Sequence, residues 1–371
     1  MKKWHYFIVI TAVFFLISCS DNKQKKVDSN DLNISKIDLT NQNLEALSLK
    51  NYDVKSIVSL DVSCNQLKDL PESLKKFRNL QEINLSDNLF EELPEILYEM
   101  PWLKKIIINN CKIKFIRSKI KKITDLETFF VSGNEISDIS SEISLLTNLK
   151  YIDFSKNKLK SIDYVFLPEA LYVNFSSNSL ARIPYGILTK SIVSINLSDN
   201  GIGKIPDIIT ACTSLSSLDL SKNKLWYFPE KMDEMVSLRI LNISNNNLTW
   251  FPRQIAQVVS LEELRVDENK IEGIGEYARA LTNLRYFSIN NNKLKYFPLA
   301  FLDAKMQLAF IYMTGNMLSR LPDDIANMSY LCTLDVRKNP ITTFSDKLKN
   351  MEIKPVFQTI LGKGNENVLV F

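Results

Sequence analysis

Apolar and polar positions follow one arrangement along most of this chain: a short alternating segment, a polar turn centred on asparagine, and a further apolar pair. Written with its leucines, the arrangement is LxxLxLxxNxL followed by Leu, Ile or Phe, often with a proline next. The alternating part predicts a short β-strand that buries one face, because successive strand side chains point to opposite sides. Fourteen copies, mostly 23 residues apart, begin at Ile34, Ile57, Leu80, Leu103, Leu126, Leu149, Ala170, Ile192, Leu215, Leu238, Leu261, Leu284, Leu308 and Leu331.

The ninth position of the repeat is asparagine in twelve of the fourteen copies, with Gln42 and Cys111 in the other two. An asparagine amide both donates and accepts hydrogen bonds, so it can satisfy neighbouring backbone groups in a stacked ladder. Cys111 is compatible with this role, since a thiol is a small, buriable, weak donor. One coil cannot bury its own apolar edge, so we expect the coils to stack and their strands to form one parallel sheet.

These features resemble the leucine-rich-repeat family, in particular bacterial members with LPxxI or LPxxL tails such as residues 70–74, LPESL. The resemblance covers about Ile34 to Met351. It implies an α/β-type solenoid over residues 34–353, a horseshoe with a parallel concave β-sheet and short helical or irregular convex segments. It also implies that the concave sheet binds macromolecules. Residues 354–371 break the pattern and predict a C-terminal cap, because terminal repeats need covering.

The first nineteen residues have the order of an export signal. Lys2 and Lys3 precede an apolar run over residues 6–17 that is interrupted only by Thr11, and this run is shorter than the roughly 20 residues that a membrane span needs. The Ser18-Cys19 end resembles the lipobox of bacterial lipoproteins, whose cysteine is lipidated and becomes the new N-terminus. We therefore predict a signal peptide over 1–18, lipid attachment at Cys19, and a flexible polar tether over 19–33.

Localisation follows from the same resemblance. In lipoproteins an aspartate directly after the cysteine can retain the protein at the inner membrane, whereas this chain has Ser20 there. A bacterial cell envelope, with the outer membrane favoured, is therefore the predicted location. Ordinary signal cleavage, with Cys19 incidental, is the alternative.

Composition excludes several function classes. The chain has 46 basic and 42 acidic residues, a net charge of +4, which becomes +2 without Lys2 and Lys3 and argues against a generic nucleic-acid binder. The one histidine, His5, lies in the predicted signal peptide, so Ser-His and Cys-His catalysis and His-ligated metals are excluded. With no GxGxxG and no GxxxxGK, a nucleotide-phosphate site is not indicated. We predict a non-enzymatic protein with no cofactor and no metal.

Carboxylates and amides recur in one column of the predicted concave face. A cation site is one interpretation of such a column. A solvated consensus strand face is the favoured one, and Asp219→Ala is then expected to change stability by no more than about 0.5 kcal/mol. The column contains Asp38, Asp61, Asp153, Asp219 and Asp335 together with Asn84, Asn174, Asn196 and Asn242.

Departures from the consensus mark candidate binding surfaces on the concave columns. In repeats four to seven they are Ile107, Phe130, Tyr151 and Tyr172, with Ile107 and Phe130 at positions where other repeats carry Asp or Asn. An exposed apolar and aromatic patch is typical of a binding site. Packing against another segment of the same chain is the alternative.

A second group of departures lies in repeats eleven to fourteen. Tyrosine and arginine are common interface hot-spot residues, which favours partner binding here too. Charge pairing between Arg265 and its acidic neighbours is the alternative. The group consists of Arg265, Tyr286, Phe310, Tyr312 and Arg337.

Two weaker features remain. Tyr227, Trp250 and Tyr296 share one repeat position, directly before a phenylalanine, and predict either an aromatic strip or edge packing. Residues 104–122 hold eight basic residues and no acidic one, which could attract sulfated glycan or anionic lipid, although a solvated surface is favoured.

Together these features predict a lipid-anchored, non-enzymatic envelope protein that binds a macromolecule through its concave face. The predicted partner is a protein, with a host protein as one candidate, and the lipid anchor ties the chain to a membrane. A structural envelope scaffold or self-associating protein is the alternative. Glycan adhesion, which rests on the basic segment and the aromatic positions, is weaker than either.

Overall fold

The computed structural model describes residues 35–349 and the backbone of 368–370. Its strands are β1 (Lys36–Asp38), β2 (Ser59–Asp61), β3 (Glu82–Asn84), β4 (Lys105–Ile107), β5 (Phe115–Ile116), β6 (Thr128–Phe130), β7 (Asp138–Ile139), β8 (Tyr151–Asp153), β9 (Tyr172–Asn174), β10 (Ser194–Asn196), β11 (Ser217–Asp219), β12 (Ile240–Asn242), β13 (Glu263–Arg265), β14 (Tyr286–Ser288), β15 (Phe310–Tyr312), β16 (Thr333–Asp335) and β17 (Val368–Val370). Each repeat contributes one strand, and successive repeat strands pair in parallel in one sheet. The predicted leucine-rich-repeat solenoid with a parallel concave sheet is confirmed.

Each repeat strand buries its central residue and turns its first and third residues to the concave face. Ile37, Leu60 and Ile83 are the first three central residues, each at most 2% exposed. The pairing keeps equivalent residues side by side, as with Ser194 opposite Ser217 and Asn196 opposite Asp219. The concave face therefore consists of a first-residue column and a third-residue column, each with one side chain per coil.

Two small features lie beside this regular sheet. β5 and β7 form a separate two-stranded parallel sheet on the part of the coils that follows the asparagine turn. β17 pairs antiparallel with β16, with Val370 opposite Thr333 and Val368 opposite Asp335. The rest of the predicted cap, the predicted signal peptide, Cys19 and the tether up to residue 34 lie outside the described residues.

The convex side is built from single turns of 3-10 helix, as the sequence indicated. In seven of these turns a proline stands directly before the first residue, a position where its fixed φ and missing N–H suit helix entry. A short α-helix, α1 (Asp346–Lys349), follows the last coil. In the described part of the chain the 3-10 segments are Glu72–Lys76, Glu95–Glu99, Ser118–Lys122, Ser141–Leu145, Tyr185–Ile187, Asp207–Ala211, Met232–Glu234, Arg253–Gln257, Glu276–Ala280, Leu299–Leu302 and Asp323–Asn327.

The turn after each strand depends on one left-handed residue. In all fourteen repeats the residue directly before the ninth position has φ between 52° and 69°, and only Gly133 and Gly315 among them are glycines. This conformation reverses the chain so that the ninth side chain points into the coil. At Gly133 a Cβ atom would lie 2.2 Å from Oδ1 of Asn110 in the preceding coil, so a larger residue here would have to displace the Asn110 amide.

Candidate functional site

The asparagine ladder fixes the coil spacing on which the concave face depends. Nδ2 of Asn223 donates to the carbonyl oxygen of Leu197 in the preceding coil at 2.9 Å, and to those of Leu220 and Ser221 in its own coil at 3.1 and 3.0 Å. Oδ1 accepts the N–H of Ile202 in the preceding coil at 2.9 Å. One buried side chain thus bonds to four backbone groups, and for the N–H of Ile202 it is the partner that the turn supplies. The pattern recurs in the coils that carry asparagine at this position.

Cys111 occupies the ladder position in the fourth coil and makes weaker contacts. Its Sγ lies 3.7 Å from the carbonyl oxygen of Leu85 and 3.5 Å from that of Asn109. Burial raises the pKa of the Cys111 thiol to about 11, so the sulfur stays protonated as a weak donor at neutral pH. This agrees with its role as a substitute for asparagine.

The column of aspartates and asparagines is more closely bonded than a solvated face. Oδ1 of Asp219 accepts the N–H of Ser221 at 2.8 Å and its hydroxyl at 2.7 Å, and Oδ2 accepts Nδ2 of Asn242 at 3.1 Å. Asp153 and Asp335 are only 9% and 5% exposed. The prediction of a solvated face is therefore wrong at Asp153 and Asp335, whereas Asp38 is exposed. All five carboxylates accept the backbone N–H two residues on, and three of them also accept from an asparagine of the next coil.

Burial also affects the acidity of this column. Loss of solvent raises the pKa of the Asp153 carboxyl above its usual range. At Asp335 burial acts in the same direction, but hydrogen bonds from Arg337 outweigh it and leave the pKa lowered. No group of three His, Cys, Asp or Glu residues in the described part of the chain is arranged to hold a metal ion.

The N-terminal concave patch, defined as Ile107, Phe130, Tyr151 and Tyr172, spans four consecutive coils. Ile107 and Phe130 face each other across β4 and β6 in the third-residue column, as the repeat spacing indicated. Ile107 is only 6% exposed, so the prediction of an exposed apolar side chain at this position is wrong. In the sheet it lies in register between Asn84 of β3 and Phe130 of β6. Phe130 is half-buried.

The tyrosines of this patch present the accessible surface. Tyr151 is 39% exposed and stacks on Tyr172, with ring centroids 5.3 Å apart and planes 9° apart. Both belong to the first-residue column, in β8 and β9. The structure thus brings together two stacked aromatic rings and the half-buried Phe130 on the open side of the sheet.

The C-terminal concave patch consists of Arg265, Tyr286, Phe310, Tyr312 and Arg337. The Arg265 guanidinium carbon lies 5.1 Å from the centroid of the Tyr286 ring, and Tyr286 contacts Tyr312 with ring centroids 5.2 Å apart. Arg265 also donates from Nε to Oε1 of Glu263 at 2.6 Å. Aromatic clustering and local charge pairing therefore coexist here, since the ion pair holds Arg265 over the ring.

Two more residues complete this patch. Phe310 lies opposite Tyr286 in the first-residue column and is half-buried. Arg337 donates from Nε to the two carboxylate oxygens of Asp335 at 3.0 and 3.1 Å. Burial raises the pKa of the Tyr286 and Tyr312 hydroxyls, so both remain protonated donors near neutral pH.

The basic segment over residues 104–122 is largely ion-paired with neighbouring coils. Lys114 lies 3.3 Å from Glu91, and Lys119 lies 2.7 Å from Glu95. Lys121 reaches Glu142 in the following coil at 2.9 Å. Because these charges are balanced locally, the segment offers less attraction for anions than its sequence suggests.

Of the three aromatic residues that share one repeat position directly before a phenylalanine, two are largely exposed and one is held by a hydrogen bond. Trp250 and Tyr296 are 69% and 67% exposed, whereas the Tyr227 hydroxyl donates to Asp207 at 2.9 Å. Sequence reasoning missed Trp226, one position earlier, which is 64% exposed. An alignment of the repeats could have revealed it, because the other repeats carry small or polar residues at the position of Trp226.

Comparison with known proteins agrees with this geometry. A family model described as leucine-rich repeat matches residues 190–248, and a second leucine-rich-repeat model matches residues 79–100. The chain therefore contains leucine-rich repeats, a fold typical of protein–protein interaction. No curated protein matches the chain. Within residues 35–349 and 368–370 no helix has the length and apolar character to cross a membrane.

Several solved structures are similar to this chain. A leucine-rich-repeat protein of Leptospira interrogans is 25% identical over 84% of this chain and 91% of its own, with a TM-score of 0.68. The functional domain of InlJ from Listeria monocytogenes is 16% identical over 86% of this chain and 72% of its own, with a TM-score of 0.65. The ectodomain of the Arabidopsis thaliana receptor kinase GASSHO1/SCHENGEN3 is 23% identical over 80% of this chain and 38% of its own, with a TM-score of 0.64.

Proposed function

We propose that this chain is a non-enzymatic, lipid-anchored protein of a bacterial envelope that binds a protein partner through the concave face of its solenoid. The stacked pair Tyr151 and Tyr172 carries the proposal. These rings stand on the side of the sheet that faces away from the core, where the equivalent residues of β10 and β11 are Ser194 and Ser217.

Tyrosines in this setting suit protein recognition. Tyrosine offers a large amphipathic surface with few rotatable bonds, so little side-chain entropy is lost on binding. Each ring is further restrained by its neighbour and by a strand that is hydrogen-bonded on both sides. A pre-organised aromatic surface of this kind binds with a smaller ordering cost than a flexible loop.

Proteins of the same fold give this interpretation support. The Arabidopsis receptor ectodomain was solved in complex with CASPARIAN STRIP INTEGRITY FACTOR 2. The plant peptide hormone receptor RGFR1 was solved with RGF2, and Drosophila Toll with Spätzle. These partners belong to those proteins; the shared fold supports only the proposal that this chain also binds a polypeptide.

The membrane anchor rests on the N-terminal sequence. A basic start, an apolar run over residues 6–17 and the Ser18-Cys19 end stand in the order of a lipoprotein signal. The polar residues that follow would separate a lipid on Cys19 from the first repeat strand at Lys36. Their composition provides too few apolar side chains to form a core of their own.

A capture experiment with the chain from Ser20 onward tests the proposal. Wild type, Tyr151→Ala and Ser217→Ala are immobilised and exposed separately to host extracts and to extracts of the producing envelope. We expect a protein that wild type and Ser217→Ala retain and that Tyr151→Ala retains less. Retention of only its own chain, confirmed by sedimentation, would instead indicate a self-associating scaffold, and equal retention by all three proteins would remove the N-terminal concave patch from the binding site.

A further inference from the structure

Two grooves lie side by side on the edge of the solenoid, outside the concave face, and share Trp226 as their common wall. The aromatic groove, of about 320 Å³, lies between Trp226 and Trp250 and includes Tyr227, Glu230 and Gln254 in its lining. The basic groove, of about 410 Å³, lies on the other side of Trp226 and is lined by Arg182, Lys204 and Lys224 over a floor of Ala181, Gly201 and Gly203. Both are built from the residues that follow the asparagine turn.

Trp226 is held in place although most of its surface is exposed. The Lys204 ammonium lies 4.5 Å from the centroid of its ring, and Tyr227 packs edge-on against it with centroids 6.0 Å apart. A Cβ atom at Gly203 would come within 3.0 Å of the indole nitrogen. The glycine therefore provides the space in which the ring lies across the preceding coil.

The surface continues beyond Trp250 toward the C-terminal coils. Trp250 belongs to the tenth repeat and Tyr296 to the twelfth, and the equivalent residue of the eleventh is Gly273, where a Cβ atom would meet nothing within 4 Å. Open space thus separates two exposed rings. From Lys204 in the eighth repeat to Tyr296 the surface spans four coil spacings, about 20 Å at the strand separation of a sheet.

Charge along this surface is positive at one end and balanced at the other. Among the described residues that line the basic groove, three are basic and none is acidic, and only Arg182 has a carboxylate partner in Asp163, at 3.0 Å. In the aromatic groove Glu230 already bonds to Arg253 at 3.3 Å and to Gln254 at 3.0 Å. Its negative charge is therefore partly offset.

We propose that this edge of the solenoid, over repeats eight to twelve, binds an anionic polysaccharide. Its sugar rings would pack their C–H faces on Trp226 and Trp250, and its carboxylate or sulfate groups would pair with Lys204 and Lys224. Several observations favour a glycan over a protein: the surface is a narrow run of small grooves, its aromatic rings are spaced along one line, and the Lys204 ammonium lies over a ring.

Exposed rings suit this ligand because an aromatic face is electron-rich and attracts the polarised C–H groups of a pyranose. The lysines supply attraction that depends on ionic strength, since both charges are accessible to solvent. This site is separate from the concave face, so a negative result in the glycan-binding experiment would leave the proposed protein-binding function unaffected.

Titration calorimetry on the chain from Ser20, which contains every described residue, tests the proposal with heparin, hyaluronan and neutral dextran oligosaccharides and with oligo-dT. We expect heparin or hyaluronan to bind, with affinity that falls as salt rises, and dextran to bind at least roughly tenfold more weakly. Trp226→Ala should weaken binding by roughly tenfold, the loss of about one aromatic contact. The double variant Lys204→Ala, Lys224→Ala should reduce both the affinity and its salt dependence.

Tyr185→Ala is the matched control, because Tyr185 is 60% exposed at a 3-10 turn and lines neither groove; it should bind like wild type, as should Tyr151→Ala. Circular dichroism on each variant checks that the fold is kept. The proposal is overturned if Trp226→Ala binds the acidic glycans like wild type, if dextran binds as well as they do, or if oligo-dT binds more tightly than either. Loss of binding in Tyr185→Ala equal to that in Trp226→Ala would also overturn it.

Discussion

Tyr151 and Tyr172 stack almost in parallel on neighbouring strands, with 5.3 Å between ring centroids and 9° between ring planes. Only 21 residues separate them, because the sixth repeat is shorter than the usual 23, yet the two strands remain in register. The two missing residues are therefore missing from the segment that connects β8 to β9, and both concave columns continue without interruption through the short repeat.

Truncation of one of these rings should affect binding more than folding. Tyr151→Ala removes an exposed hot-spot candidate, so partner affinity should fall by about 1–2 kcal/mol, while the melting temperature should change little. Ser217→Ala, in the same column, should leave both unchanged. A large loss of thermal stability in Tyr151→Ala, measured by calorimetry, would show that the ring belongs to the fold rather than to an interface.

Asn223→Ala should cost about 1–3 kcal/mol of unfolding free energy, since it leaves the buried N–H of Ile202 without its partner and removes one donor from each of three carbonyls. The hydrogen bonds of Asp219 now lead us to expect about 1 kcal/mol for Asp219→Ala, more than the solvated column implied. Urea titration of both variants measures the difference. A loss below about 0.5 kcal/mol for Asn223→Ala, the level of an ordinary surface substitution, would contradict the ladder's role.

The ladder and the sheet were predictable from the sequence because each depends on the spacing of a single repeat. The central strand residues, the asparagines and the facing of Ile107 and Phe130 all follow from a 23-residue period. The burial of side chains on the concave face could not be predicted in this way, since the exposure of a residue such as Ile107 depends on the sizes of its neighbours in the adjacent coils, Asn84 and Phe130.

Contacts between charged residues were missed for a related reason. Lys114 pairs with Glu91 and Lys119 with Glu95 at separations of 23 and 24 residues. Such pairs appear in the sequence only when successive repeats are aligned and their charges compared column by column. The Lys204–Trp226 contact would not appear even in such an alignment, because the two residues occupy different positions within their repeats.

Buried thiols should resist alkylation in the folded protein. Burial raises the pKa of both Cys111 and Cys212 to about 11, so only about one thiol in a thousand is ionised at pH 8, and the thiolate is the reactive form. Half-buried Cys332 should react with iodoacetamide first. Peptide-resolved mass spectrometry checks the order, and equal labelling of the three would contradict it.

The same shift predicts how stability depends on pH. The folded state holds these protons more tightly than the unfolded state, so the stabilisation is complete below the ordinary thiol pKa of 9.0 and is lost as pH rises toward about 11. Unfolding free energy should therefore decline over that range. Cys212→Ala should flatten this part of the profile, and an unaltered slope in that variant would argue against the thiol as the cause.

The left-handed turn position offers a test of backbone geometry. Gly133→Ala should destabilise the fold by at least about 1 kcal/mol, because the residue has φ of 67° and its Cβ would approach Oδ1 of Asn110. Lys222→Gly, at the equivalent position with φ of 52°, should be neutral or stabilising. Thermal unfolding of the two variants provides the comparison; similar losses in both would show that conformation is not the determining factor.

Lipidation of Cys19 remains a prediction from the N-terminal sequence. Expressed in a bacterial host, wild type should partition into the detergent phase and Cys19→Ser into the aqueous phase, because only the former can carry acyl chains. Mass spectrometry of the N-terminal peptide supplies the direct measurement. If both proteins appear in the aqueous phase, the anchor is absent.

The hydrogen bonds that the asparagine ladder makes between coils all point from one coil to the coil before it, so the two ends of the solenoid are not equivalent. Asn223 bonds to the carbonyl of Leu197 and the N–H of Ile202 in the coil before it, and every coil whose successor carries an asparagine at this position is completed in the same way. Removing a coil from the start of the array leaves the remaining turns closed, whereas removing one from the end opens the turn of the coil that becomes last. Truncation from the two ends should therefore be tolerated unequally, and a new repeat could be added most readily ahead of the first coil.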